Sequence, residues 1–314
     1  MKESPFKPDE LNKVMNKAKR KSLFRNIVIS VVTLLVLGTL LVYVNNYIVN
    51  RAFDRADHRD QLLLSITQPN VERSGTTRDF NILSGDYSYQ QYKQIEDKVV
   101  PWGREFRTFN ALGQNSHRVP RDEVTMINSE DQRIYHSVSG QRLMRFYHPL
   151  TKYEVMHDDL ELIEQAPGDA VMEVALSFDQ GYTVGEVRDF LGLQGKITWF
   201  WANQHTEDTS ETMYERTMGG YQESIVYGFN ATGLQGEGDR VHQTEGDYLH
   251  LLEQVKESGA YSHHIDHLIQ AAHDHIGTGL ILGVVVTGTK EELQSLEQEE
   301  KVRAISLGAV VTEF

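Results

Sequence analysis

The densest set of side chains able to hold a metal or move a proton lies in one stretch, HHIDHLIQAAHDH, residues 263–275. On a helix His263 and His267 stand one turn apart, and Asp274 falls two further turns along the same face, so a zinc-type ligand pair is geometrically possible. Hydrolytic zinc chemistry would also call for the HExxH order, with its glutamate as general base, and for a third strong ligand. Neither accompanies these histidines. Surface histidines on an amphipathic helix account for the stretch more simply, and no metal site is assigned.

Other segments with a chemical look fail on context. GLQGEGDR (233–240) and GTGLILG (277–283) resemble phosphate loops, but the first does not join a strand to a helix and the second runs into a strand. Neither can aim a helix start at a phosphate. In WFWAN, Trp199 and Trp201 share one face of a strand and Phe200 the other, which suits core packing better than a sugar-stacking platform. There is no GxSxG, no SxxK and no persuasive carboxylate pair. The chain has no cysteine, which excludes thiol nucleophiles, thiolate metal sites and disulfides. No catalytic residue and no cofactor are expected, and the chain reads as a protein that is not an enzyme.

The elements say more. Between Arg25 and Arg51 no residue is charged, and 13 of the 18 residues from Ile27 to Val44 are Ile, Val or Leu. About 20 apolar residues on a helix cross a hydrocarbon layer about 30 Å thick. A signal peptide would have a shorter apolar part and an Ala-x-Ala-like cleavage site, and LVYVNNYIVNR offers none. The run therefore reads as a membrane span.

Residues 1–25 hold eight Lys or Arg against three acids, whereas the rest of the chain holds 23 against 42. A basic flank stays on the cytoplasmic side, so the N-terminus is expected inside and Arg51 to Phe314 outside. That makes a single-pass cell-membrane protein with an extracytoplasmic C-terminal domain. The acidic excess argues against nucleic acid as a partner, since phosphate binding needs a basic footprint.

The expected fold class is α+β, with a single N-terminal transmembrane helix ahead of an external domain. Four parts are expected: a short basic cytoplasmic segment (1–25), the span (26–50), a membrane-proximal, strand-rich region (51–150) and a C-terminal external domain (151–314). RAFDRADHRDQLLLSI extends the helix until Pro69 stops it. Ile134 to Val138 and Arg142 to Tyr147 alternate around SGQ and predict a hairpin.

In the C-terminal part, strands are expected at 171–178 and 196–203 around a helix at 183–192. The order returns with strands at 279–288 and 302–311 around a helix at 289–298. Thr183 with Glu186, and Thr289 with Glu292, have capping-box spacing. The repeat suggests a ferredoxin-like α+β sandwich. QHTEDTSETMYERTMGGYQ (204–222) and GFNATGLQGEGDR (228–240) read as exposed loops, and the segments from Glu245 and from Tyr261 as helices, each ended by Gly.

Within DELNKVMNKAKRKSLF, Leu11, Val14, Met15 and Ala18 recur at helical spacing and form a stripe. The stripe fits a partner-contact helix, but an extension of the span held on anionic lipid by its Lys and Arg accounts for the segment better.

LSITQPN (64–70), VPWG (100–103), RFYHP (145–149), EVALSFDQGYTVGEV (173–187), WFWAN (199–203) and GVVVTGTKEELQSL (283–296), in this order, resemble the membrane-anchored sigma factor regulators of Gram-positive bacteria. The resemblance runs from about Asp9 to the C-terminus and covers both the N-terminal span module and the C-terminal external regulator domain. It implies an anti-sigma factor, whose cytoplasmic part holds an extracytoplasmic-function sigma factor away from RNA polymerase while its external domain takes in an envelope signal. It brings no catalytic residues. Relatives can carry a longer cytoplasmic segment, so two arrangements are expected: the helix from Asp9 to Leu23 makes the whole contact, or a companion anti-sigma subunit does the holding.

Overall fold

The computed structural model describes residues 8–117, 126–127, 133–192, 196–206, 220–223, 225–235, 239–259 and 262–312. One helix, α1 (Pro8–Thr67), runs for 60 residues, about 90 Å at 1.5 Å per residue. It is long and apolar enough to cross a membrane, and its apolar stretch is not covered by the rest of the protein. Burial of α1 begins only at Asn45. Past Thr67 the backbone turns at Asn70, with φ 59°, and enters the first strand.

Four antiparallel strands follow: β1 (Val71–Phe80), β2 (Ser84–Ile95), β3 (Lys98–Asn110) and the short β4 (Asn115–His117), paired in sequence order. β2 alternates buried and exposed residues, and its buried Tyr87 and Tyr89 face the upper half of α1. There Val49, Ala52, Phe53 and Ala56 pack with Phe80, Tyr87 and Phe109. Phe53 meets Tyr87 edge-on at 5.5 Å and Phe109 at 5.9 Å. Such ring pairs add about 0.5–1.5 kcal/mol beyond their buried area.

The C-terminal part contains α2 (Leu160–Glu164), β5 (Val171–Tyr182), α3 (Val184–Leu191), β6 (Ile197–Ala202), β7 (Gly228–Asn230), α4 (Glu245–Glu257), α5 (Ser262–His275), β8 (Ile281–Thr289), α6 (Lys290–Gln294) and β9 (Val302–Val311). Five strands form one antiparallel sheet in the order β7-β6-β8-β5-β9. The four strands expected to share a sheet do so. One face carries Met172, Val174, Leu176, Phe200, Val284 and Val286 against the helices, with Leu62 and Ile66 of α1 in the same core. The opposite face carries Ala175, Trp199, Trp201 and Val285 against Met144, Phe146 and Val226. The two tryptophans and Phe200 thus take opposite faces, all fully buried.

Thr183 and Glu186 close a capping box, Thr183 N donating to Glu186 Oε2 at 2.8 Å. Thr289 N donates likewise to Glu292 Oε2 at 2.9 Å. A third box, Thr244 with Asp247, opens α4. Gly192 ends α3 in the left-handed region, at φ 62°.

Three expectations need correction. The hairpin forms only as far as Leu143, through the Tyr135–Arg142 bridge and the bonds from Leu143 N to the Ile134 carbonyl and His136 N to the Gln141 carbonyl, while Arg145–Phe146 pairs with Tyr221–Gln222, a partner 75 residues away that local alternation cannot reveal. The second unit's helix is shorter than 289–298, since Ser295–Gln298 tightens to a 3-10 turn. The stretch 228–240 is not simply exposed loop: Gly228–Asn230 adds an edge strand, and Phe229 is buried against Phe200 at 5.3 Å and Tyr248 at 5.0 Å. Most of 204–222, residues 236–238 and the Leu11 side chain lie outside the described residues.

Candidate functional site

The upper end of α1 is held from several sides. Tyr87 donates its hydroxyl to Asp60 at 2.7 Å, and Arg107 pairs with the same carboxylate at 3.2 Å. Arg73 pairs with Asp57 at 2.9 Å. Arg59 donates to the Ser258 carbonyl at the end of α4, at 3.0 Å. Leu62 and Ile66 then enter the main core. From Asn45 onward α1 is thus packed into two buried clusters in turn, the aromatic one around Phe53 and the main core at Leu62 and Ile66.

The two sheets are joined at a buried ionic cluster. Lys93 of β2 places its ammonium 2.8 Å from Glu173 of β5 and 2.8 Å from Glu223, with side-chain exposures of 0 %, 0 % and 5 %. Asn70 donates to Glu173 Oε1 at 2.8 Å, and Met144 N donates to Glu223 Oε2 at 2.9 Å. Trp102 lies under the ammonium at 4.2 Å. Burial works against the Lys93 charge, yet the two carboxylates outweigh it and raise its pKa. For Glu223, burial raises the pKa, Lys93 opposes and Glu173 adds to the rise. His136 stacks on Trp102 at 4.4 Å, and burial, with help from Lys93, lowers it to about 4. Beside the cluster, Glu96 in the β2–β3 turn accepts from Lys196 and from Thr287, both at 2.8 Å.

This arrangement performs no evident bond chemistry. It is a lock: one cation shared by two carboxylates, supported by amide donors, at the junction of two sheets. Uncharged partners would hold the junction as well, but removing a single charged member leaves the others buried and unpaired.

A second polar group lies under Trp201. His148 and His205 meet edge-to-face at 5.3 Å, and their Nε2 atoms, with Trp201 Nε1, have no hydrogen-bond partner. Burial is the chief cause that lowers His148 to about 3 and His205 to about 4. His275 Nε2 donates to the His205 carbonyl at 2.9 Å.

The zinc-type pair read from α5 is not completed by Asp274, which accepts from Gln270 at 2.7 Å. Among the described residues no three potential ligands gather. Val14, Met15 and Ala18 lie on one exposed side of α1, uncovered among the described residues, Val14 being 69 % exposed and Met15 47 %. Sequence reasoning missed the Lys93 cluster. Its members stand 80 and 50 residues apart along the chain and carry no motif; the one available signal was Glu173 set inside the otherwise apolar strand VMEVALSF.

Residues 12–100 match the sigma factor regulator N-terminal family, and residues 163–309 match the sigma factor regulator C-terminal family. No curated protein and no solved structure matches the chain.

Proposed function

We propose, from the premise that this chain belongs to the sigma factor regulator family, that it is a single-pass membrane anti-sigma factor, or the accessory of one, restraining an extracytoplasmic-function sigma factor until an envelope signal reaches its external part. The family is regulatory and implies interaction with a sigma factor. The observation that carries the reading is the continuity of α1. One helix bears the Val14, Met15 and Ala18 stripe at one end, the exposed apolar run in the middle, and Ile66 inside the core at the other.

The basic segment before Asn26 supports a cytoplasmic N-terminus by the positive-inside rule. The strand order β6-β8-β5-β9 and the two strand-helix-strand units support a ferredoxin-like sandwich with β7 as an added edge. Sigma contact falls to the α1 stripe as a helix-in-groove interaction, or to a companion subunit beside it. Full-length protein pulled down from membranes should retain the sigma factor or a companion regulator, and the protein lacking residues 1–25 should lose it. Equal recovery from both would overturn the assignment. Protease added to wall-stripped cells should digest the chain from Arg51 onward and spare the first 25 residues; the reverse would invert the topology.

A further inference from the structure

The turn between β1 and β2 carries Ile82 and Leu83, where tight turns favour Gly, Asn or Asp. Ile82 is 85 % exposed, and Leu83, 49 % exposed, holds φ 55° in the left-handed region that a branched side chain seldom enters. Two apolar side chains are thus displayed to the outside at a position unsuited to them.

Their height on the molecule explains what they meet. Leu83 N donates to Asn45 Oδ1 at 2.8 Å, and Asn45 Nδ2 donates to the Asn81 carbonyl at 3.3 Å. Asn45 directly follows the apolar run Ile27–Val44 and is the first residue of α1 that the external fold partly covers. The far end of β2 lies beside the far end of α1, where Gln91 donates to Gln68 at 3.1 Å. From Asn45 to its end at Thr67 the helix climbs about 33 Å. The β1–β2 turn is therefore the foot of the external fold, and Tyr43 and Tyr47, both exposed, flank Asn45 on α1 as interfacial aromatics do.

We infer that this turn is a lipid-interface anchor, in which Ile82, with Leu83 beside it, enters the bilayer at the boundary of headgroups and acyl chains next to the end of the span. The inference rests on reading α1 as membrane-spanning. Two side chains are far too little for a protein interface, which needs about 800 Å² per partner. They sit level with Asn45, where the exposed apolar run of α1 ends, so lipid is the occupant that fits. The foot fixes the tilt of the external fold on the membrane, so that α1 and the β1–β3 sheet together brace the Lys93 junction above it.

The cysteine-free chain makes the test direct. Full-length Ile82→Cys, Val99→Cys and Leu37→Cys would each be labelled with an environment-sensitive NBD fluorophore. Each would be reconstituted into phosphatidylcholine–phosphatidylglycerol vesicles containing nitroxide lipids labelled at a shallow or a deep carbon. Val99 is exposed near the opposite end of the sheet, and Leu37 is exposed in mid-span. The label at 37 should be quenched by deep nitroxides. The label at 82 should be quenched several-fold more by shallow nitroxides than the label at 99. Quenching at 82 no greater than at 99, with 37 quenched, overturns the anchor. If 37 is not quenched either, the membrane reading falls, and the anchor with it.

Discussion

Lys93 and Glu173 meet at 2.8 Å, both side chains sealed from solvent, although one lies on the sheet beside α1 and the other on a central strand of the C-terminal sheet. Neither sheet holds its own member in a neutral way. Each is electrostatically complete only when docked on the other, so the ionic cluster makes the two sheets dependent on one another.

Lys93→Met should lower stability by about 3–5 kcal/mol, the cost of leaving buried carboxylates without their cation. Denaturation of full-length protein in micelles, followed by tryptophan fluorescence, measures it. The triple variant Lys93→Met, Glu173→Gln, Glu223→Gln should recover part of the loss. A Lys93→Met protein as stable as the parent would show that the cluster does not bind the sheets together.

Phe53→Ala removes the ring that Phe80, Tyr87 and Phe109 share, and should cost about 3–5 kcal/mol. In hydrogen exchange, the amides of β2 should lose protection while those of β5 and β8 keep theirs, because α1 enters the second core separately through Leu62 and Ile66. Uniform loss across both sheets would contradict two distinct grips on the helix.

His136, His148 and His205 have native pKa values lowered from 6.5 to about 4, 3 and 4. Above pH 6.5 they are neutral in both states and exert no pH dependence. Between pH 6.5 and about 4 the unfolded chain takes up protons that the native protein refuses, so stability falls with pH across that window. The thermal midpoint should drop from pH 7 to pH 5, and His148→Gln should flatten the slope. A His148→Gln protein whose midpoint falls as steeply as the parent's between pH 7 and pH 5 would contradict a neutral, buried His148.

The long apolar helix, its end just before Pro69 and the four strands of the two strand-helix-strand units were legible in the sequence because each is declared by local signals: an uncharged apolar run, a helix breaker, apolar strands and Thr-x-x-Glu caps. Strand β7 was not, since three residues, Gly228–Asn230, carry no period and are strand only because Phe229 fills a gap between Phe200 and Tyr248. Strands β1 to β3 were blurred by polar residues on their exposed faces; β1 reads VERSGTTRDF and buries little. The Lys93 cluster escaped for the same reason that it matters. It is built from residues whose relation exists only after two sheets dock.

The reading proposed for α1 turns on whether its N-terminal stripe meets the sigma factor itself or leaves that contact to a companion subunit. In cells, Val14→Asp with Met15→Asp should remove a contact worth about 2–4 kcal/mol, or roughly thirtyfold or more in affinity. Transcription from the sigma factor's own promoter, read by a reporter with membrane abundance of the variant checked in parallel, should rise accordingly. An unchanged reporter at normal membrane abundance would contradict direct contact by this helix.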